Sequence, residues 1–235
     1  MRMSFVAAMA VVVAVASPLH AQGMAGMNMD PTKAIKGSGT LPAGWSMRFD
    51  PIRVAAGRPA PAPHAITEID FRPMGPGLHI STGPAAIYYR AADAAKGDYT
   101  VSVSLSQRKG MEHEAYGLFV GGNNLQDSTQ SYLYFVIRPM DGGILINYRS
   151  SDARPKALVA WTPDPAINKD DPKDGHATNV LAIHVGKDAV DFMANGKTVK
   201  SIPRSELAGI NTDGVVGLRV NHNLDLHIAD FELKK

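Results

Sequence analysis

The chain has 235 residues, with 24 Lys and Arg against 22 Asp and Glu, a formal net charge of +2 and no cysteine. Charge so scattered and so nearly balanced leaves no electrostatic footprint for nucleic acid or for an anionic membrane surface. Without cysteine there is neither a disulfide framework nor a lipid-bearing thiol, so stability rests on an ordinary core, and the length suffices for one sizeable β domain.

The opening segment, MRMSFVAAMAVVVAVASPLHAQ, sets Arg2 before an apolar run from about Phe5 to Ala16, a breaker at Pro18 and small residues before Gln22. That is the pattern of a secretory signal, too short for a transmembrane span, with cleavage expected after Ala21 or, as second choice, after Ala16. It predicts an exported protein, periplasmic or extracellular, soluble, with no membrane span and no lipid anchor. Residues 22–44, rich in Gly, Met and Pro and without helical or strand period, read as a leader, flexible in its first part, ahead of a single domain over 45–235. Met24, Met27 and Met29, with His20 just upstream, offer soft thioether donors to Cu(I), while composition alone accounts for methionines in such a tail.

The next stretch, TEIDFRPM (67–74), holds Glu68 and Asp70 as the strand of a retaining β-glucanase would. That chemistry needs a second carboxylate about 5 Å away across the glycosidic bond. The places where it would fall hold Arg72 and Pro73, which cannot give and recover a proton. The stretch is therefore expected to be an edge strand with Ile66, Ile69 and Phe71 toward the core and solvated acids nearby.

Further strand-like segments are expected at 65–72, 77–81, 86–91, 98–107, 115–121, 131–138, 144–149, 157–161, 178–185, 189–194, 215–220 and 224–232. In the clearest, Tyr99, Val101, Val103 and Leu105 alternate with Thr100, Ser102, Ser104 and Ser106, the period of a strand with one buried face. MDGG (140–143) and NGK (195–197) supply residues for tight hairpins, and only 203–209 suggests a turn or two of helix. A dozen short strands without a fixed repeat imply an all-β antiparallel sandwich or barrel.

Within this frame four groups of residues can carry chemistry. Glu112 and Glu114 share a face if their strand reaches back that far, and with His113 nearby they suit acid/base work or a metal; a solvated loop needs neither. Along SYLYFVIR, Leu133, Phe135 and Ile137 fall on one face and Tyr132, Tyr134 and Arg138 on the other. The next strand adds Asn147 and Arg149, with Arg219 and His222 reaching the same side if register permits. Aromatic faces cover the C–H side of a pyranose while amides and guanidinium groups bind its hydroxyls or a carboxylate; the alternative is a polar outer sheet with ordinary cross-strand pairs. Two loops, one with Asn123, Asn124, Asp127 and Ser128 and one with Asp164, Asp170, Asp171 and Asp174, can hold Ca²⁺ or sugar hydroxyls, or serve as turns. No P-loop, dinucleotide fingerprint, G-x-S-x-G elbow or H-E-x-x-H zinc motif is present.

Three stretches, 116–149, 178–199 and 213–233, together resemble concanavalin A-like lectin and glucanase jelly rolls, in particular the secreted bacterial 3-keto-disaccharide hydrolase-like family. The closing strands carry the resemblance most clearly, in Gly214, Gly217, Leu218, Arg219, Val220, Asp230 and Phe231. It implies a two-sheet jelly roll with a carbohydrate-facing surface, and hydrolase or lyase chemistry as an option. The expectation is an exported jelly roll whose concave sheet binds a carbohydrate or glycan-like ligand. Its alternatives are an enzyme acting on a modified disaccharide through Glu112, Glu114 or an Asp of 163–179, and a copper-handling accessory using the Met-rich leader.

Overall fold

The computed structural model describes residues 35–54, 56–110 and 113–235. The signal segment, the methionines of the leader and Glu112 lie outside the described residues. Alternation of apolar and polar side chains decides the rest. In β5 (Tyr99–Gly110), Tyr99, Val101, Val103 and Leu105 are at most 2% exposed. Leu181 and Ile183 of β10 (Ala177–Val185) stand opposite Val103 and Val101 in antiparallel register and continue the buried face.

The remaining strands are β1 (Trp45–Phe49), β2 (Ile69–Met74), β3 (Gly77–Thr82), β4 (Ala86–Ala95), β6 (Tyr116–Asn123), β7 (Ser131–Arg138), β8 (Gly143–Arg149), β9 (Lys156–Pro163), β11 (Ala189–Ala194), β12 (Lys197–Pro203), β13 (Gly214–Val220) and β14 (Leu224–Lys234). The described strands form two seven-stranded sheets, ordered β1-β4-β13-β6-β7-β8-β9 and β12-β11-β10-β5-β14-β3-β2. Their pairs are antiparallel, and the architecture is the expected all-β jelly-roll sandwich.

Each strand expected from the sequence has its counterpart. The two that the pattern did not show, β1 and β12, are both sheet edges. In β12 only Ile202 is buried, and exposed Lys197 and Lys200 mark the edge, as charge commonly does where a ladder must not extend. The turn between β11 and β12 places Asn195 and Gly196 at φ of 50° and 78°, as its composition requires. The helical signal at 203–209 resolves to one 3-10 turn, Arg204–Leu207.

TEIDFRPM forms the edge strand β2, with Ile69 and Phe71 in the core and Asp70 paired to Arg72 at 2.9 Å. Ile66 departs from expectation. It is 37% exposed, because Ile66–Glu68 is a 3-10 turn that the Glu68 carboxylate caps by accepting from the Ala65 N–H at 2.6 Å. Residues just before β1 also belong to the packed domain. Gly37 N–H donates to Thr67 O at 2.8 Å, a Cβ at Gly37 would lie 1.4 Å from Ile69 O, and Leu41 packs on the core.

Leu118, Leu133, Phe135, Ile146 and Leu218 from the first sheet meet Val103, Leu181, Ile183, Phe192 and Leu226 from the second. Phe135 and Phe192 join across the layers with ring centroids 5.6 Å apart. Each such side chain contributes about 1.5–3 kcal/mol through burial. Phe135→Ala is expected to cost about 3–5 kcal/mol, through lost transfer energy and the cavity left behind. A urea titration that leaves the midpoint within error of wild type would contradict this placement of the core.

Candidate functional site

The central strands β4, β6 and β7 of the first sheet are buried on both faces. Its outer side carries a second apolar layer of Ile87, Tyr89, Phe119, Tyr132, Tyr134 and Val136. The cause is period two: Leu133 and Phe135 point to the inter-sheet core, so Tyr132 and Tyr134 point away from it. Rings from β4, β6 and β7 form a row that passes over β13, with centroids at 6.4 Å for Tyr89–Phe119, 5.1 Å for Phe119–Tyr132 and 5.7 Å for Tyr132–Tyr134. Asn147 stands opposite Tyr134 in register and donates to its hydroxyl at 2.8 Å. Arg149 lies 5.8 Å from the Tyr132 ring, and Arg219 lies at the same distance from Tyr134.

Both arginines converge on Asp50, the residue that follows β1. Arg219 donates to its two carboxylate oxygens at 2.8 and 2.7 Å, a two-pronged fork, and Arg149 reaches one of them at 3.4 Å. In the sheet order β8 lies five positions from β1, about 24 Å across a flat sheet at ordinary strand spacing, beyond the reach of these side chains. The contact closes because the sheet curls toward its outer side. That side is therefore the concave one. Arg48 confirms the curl: it binds Asp152, just beyond β8, at 2.8 Å and the carbonyls of Leu125 and Asp127.

Burial alone would raise the pKa of Asp50, but Arg219 and Arg149, with His222 nearby, hold its carboxyl below the usual value. The same contact keeps Arg219 charged although its side chain is only 6% exposed. Arg149 is held less well. Its side chain is 3% exposed, its contacts lie at 3.3–3.5 Å, and neither its Nε nor that of Arg219 has a partner.

Asp50, 29% exposed at its side chain, is where this charged cluster meets solvent. It lines a cleft of about 390 Å³ with Met47, Arg48, Phe49, Ile52, Pro63, His64 and Gln126. Gln126 comes from the 124–130 loop, where it donates to the Tyr89 hydroxyl at 2.6 Å and to Met47 O at 3.0 Å. It also lines an adjoining cleft of about 290 Å³ with Tyr89, Leu125 and Asp127. The lining of the larger cleft sets the apolar side chains of Met47, Phe49, Ile52 and Pro63 beside the polar groups of Arg48, Asp50, His64 and Gln126.

At the rim, Glu114 precedes β6 and His222 follows β13, brought together because those strands are antiparallel neighbours. His222 Nδ1 lies 3.5 Å from Glu114 Oε1, and His113 Nε2 lies 3.9 Å from the same oxygen. Burial pushes the Glu114 pKa up, and the contacts with His222, Asn221 and His113 bring it below the ordinary value.

Other residues singled out from sequence sit elsewhere. Arg138 lies on the same face but six residues along β7 from Tyr132, about 20 Å away, paired to Asp141 at 3.0 Å and stacked 4.3 Å from the Trp161 ring. Asn123 donates to Gly121 O and Asp213 O, and Asn124, at φ 50°, donates to Thr129. Asp127 accepts from the N–H and hydroxyl of Thr129, and Asp164, Asp171 and Asp174 each accept an N–H two residues on. These aspartates cap turns. Among the described residues no three His, Asp or Glu side chains form a group able to hold a metal.

Ser81, His79 and Asp225 on the second sheet meet in the order of a nucleophilic triad, with His79 Nε2 3.0 Å from Ser81 Oγ and Nδ1 3.5 Å from Asp225. They stand on β3 and β14, where the β14 pairing with β5 shifts register between Asp225 and Leu226, and neither His79 Nδ1 nor Asp225 Oδ1 makes a hydrogen bond among the described residues.

No family model matches the chain, and no curated protein matches it. Solved structures do. A carbohydrate binding module, CBM66, from Bacillus subtilis superposes with a TM-score of 0.56 at 10% identity, covering 82% of this chain and 96% of that one. A Bacillus subtilis protein of unknown function with a galectin-like fold superposes with a TM-score of 0.55 at 13% identity, covering 86% and 93%. The fold is a concanavalin A-like jelly roll. Among the described residues no helix is long and apolar enough to cross a membrane.

The electrostatics of Asp50 set a pH dependence. Its folded pKa lies below the unfolded value, so its contribution is complete at neutral pH and is lost as pH falls below about 4. Asp50→Asn, which strands two buried cations, is expected to destabilise by about 3 kcal/mol at pH 7. The gap between variant and wild type should narrow in denaturant titrations taken from pH 5 toward pH 2. A gap independent of pH would remove Asp50 as the source.

Proposed function

We propose that the chain is an exported carbohydrate-binding jelly roll whose ligand occupies the cleft at Asp50 on the concave face. The observation that carries this reading is a fixed, ionised carboxylate lining a cleft with apolar walls. Asp50 is aimed by two buried arginines, and an oriented carboxylate accepts hydrogen bonds from sugar hydroxyls without reorganising. Phe49 and His64, with ring centroids 5.4 Å apart, supply an aromatic wall for the C–H face of a ring. Gln126 adds an amide at the mouth. Tyr132, Tyr134, Asn147, Arg149 and Arg219 act in this reading as the floor that holds Asp50. The likeness to a carbohydrate binding module supports the choice of ligand class.

A second reading, cleavage of the bound sugar, is favoured by the Glu114–His222 contact at 3.5 Å beside the same arginine cluster, since such a pair can accept and return a proton. It predicts product release that follows a bell-shaped pH profile and disappears in Glu114→Gln.

Calorimetric titration of the mature protein with a saccharide panel separates these readings. Binding without turnover is expected, weakened about tenfold or more, or 1.4 kcal/mol, by Gln126→Ala and by His64→Ala. Arg138→Ala, already engaged with Asp141 and Trp161, should bind as wild type does. If the first two variants keep full affinity while Arg138→Ala loses it, the site is at the other end of β7.

A further inference from the structure

A third cleft, of about 400 Å³, opens between the two sheets at the start of β1, lined by Trp45, Pro76, Gly77, Leu78, Arg90, Ile228, Asp230 and Phe231. Three features of its wall run against what a sandwich needs for packing alone. Alternation along β4 puts Ala86 and Tyr88 in the inter-sheet core, so Arg90 occupies the next inward position, where a charge is costly unless solvated. It stays 40% exposed, paired to Asp93 and laid between two rings, 5.3 Å from the Trp45 centroid and 5.7 Å from that of Phe231. The β14 register then breaks between Ala229 and Glu232, and Asp230, an exposed residue with a side chain, takes φ of +52° there. Asp adopts this left-handed conformation more readily than most residues, and a bulge of this kind re-aims the side chains beside it. Its consequence is to set Phe231 against the core and Asp230 at the cleft.

We infer that this inter-sheet cleft is a second saccharide site, taking one neutral pyranose unit. Trp45 and Phe231 give partly exposed rings for the C–H face of the sugar. Arg90 donates and Asp230 accepts, so both halves of a hydroxyl find a partner. An anionic sugar is disfavoured, because Asp230 and Asp93 both stand near Arg90. The site is separate from the cleft at Asp50, and the two together make the chain bivalent toward a polymeric glycan, where effective concentration raises avidity without new contacts.

The chain has two tryptophans, so in a Trp161→Phe background Trp45 alone reports on this cleft. The probes are tetrasaccharides of β-1,4-glucan, β-1,3-glucan and β-1,4-mannan, followed by fluorescence and calorimetry together. A saturable change at Trp45 is expected, weakened tenfold or more by Asp230→Gly and untouched by Gln126→Ala. Asp230→Gly removes the carboxylate and relieves the positive φ, so its thermal midpoint should equal or exceed that of the parent, which separates lost binding from lost folding. Heat that Gln126→Ala abolishes, with Trp45 silent, would overturn the second site and leave the first standing. A Trp45 response of equal affinity in Asp230→Gly would overturn the role given to Asp230. Silence in both signals would overturn both sites.

Discussion

The concave face depends on one carboxylate. Asp50 is the single anion shared by Arg219 and Arg149, and those arginines sit over the tyrosines of β7. Two buried cations against one anion is a costly arrangement, since desolvation of each ion rivals its Coulomb gain. What the arrangement secures is geometry. Asp50 leaves the edge strand β1, Arg219 comes from the third strand and Arg149 from the sixth, so one carboxylate fixes the curl of the whole sheet.

That curl accompanies the burial of the central strands of the first sheet on both sides, which the second sheet lacks. The second sheet shows water a row of Thr and Ser along β5. In the first, outward positions on β4, β6 and β7 carry Ile, Tyr, Phe and Val, and the loop after β6 packs over them through Leu125 and Gln126. Two glycines make room. A Cβ at Gly117 would lie 2.1 Å from Phe135 O, and one at Gly217 would lie 2.6 Å from the Phe119 ring. A polar group inside such a layer needs a partner, and the amide N–H groups of Asn147 and Gln126 find theirs in the hydroxyls of Tyr134 and Tyr89, while Asn147 Oδ1 has none among the described residues.

The sequence made the fold legible where period two was strong. Strands with a buried face, such as β5, β7 and β10, announced themselves, and the sides of Tyr132, Tyr134, Asn147 and Arg149 followed from counting by two. Counting could not tell that this outer side is itself buried, because burial there comes from loops arriving out of remote sequence. Asp50 gave no signal at all. It follows a strand whose five residues are all half-buried, so no alternation marked the strand, and nothing in FDPIR shows that its carboxylate meets Arg219, 169 residues away. The acidic loops were open to two readings in sequence, ligands or turns. Asp127, Asp164, Asp171 and Asp174 look like ligands in sequence, yet each spends its oxygen on a nearby N–H.

Of the two strands that the sequence concealed, β1 is the one that both proposed sites share. β1 enters with Trp45 at the mouth between the sheets and leaves with Asp50 on the concave face, about 17 Å apart along five residues. An interior strand could not serve both, because ladders on its two sides and layers on its two faces would shut it from water. An edge strand has one ladder, so its ends and one flank stay open. The weak apolar pattern that hid β1 and the open surroundings that both proposed sites require are therefore one property seen twice. Where an edge strand of a sandwich combines an aromatic at its entry with an acid at its exit, faint periodicity is itself a reason to look there.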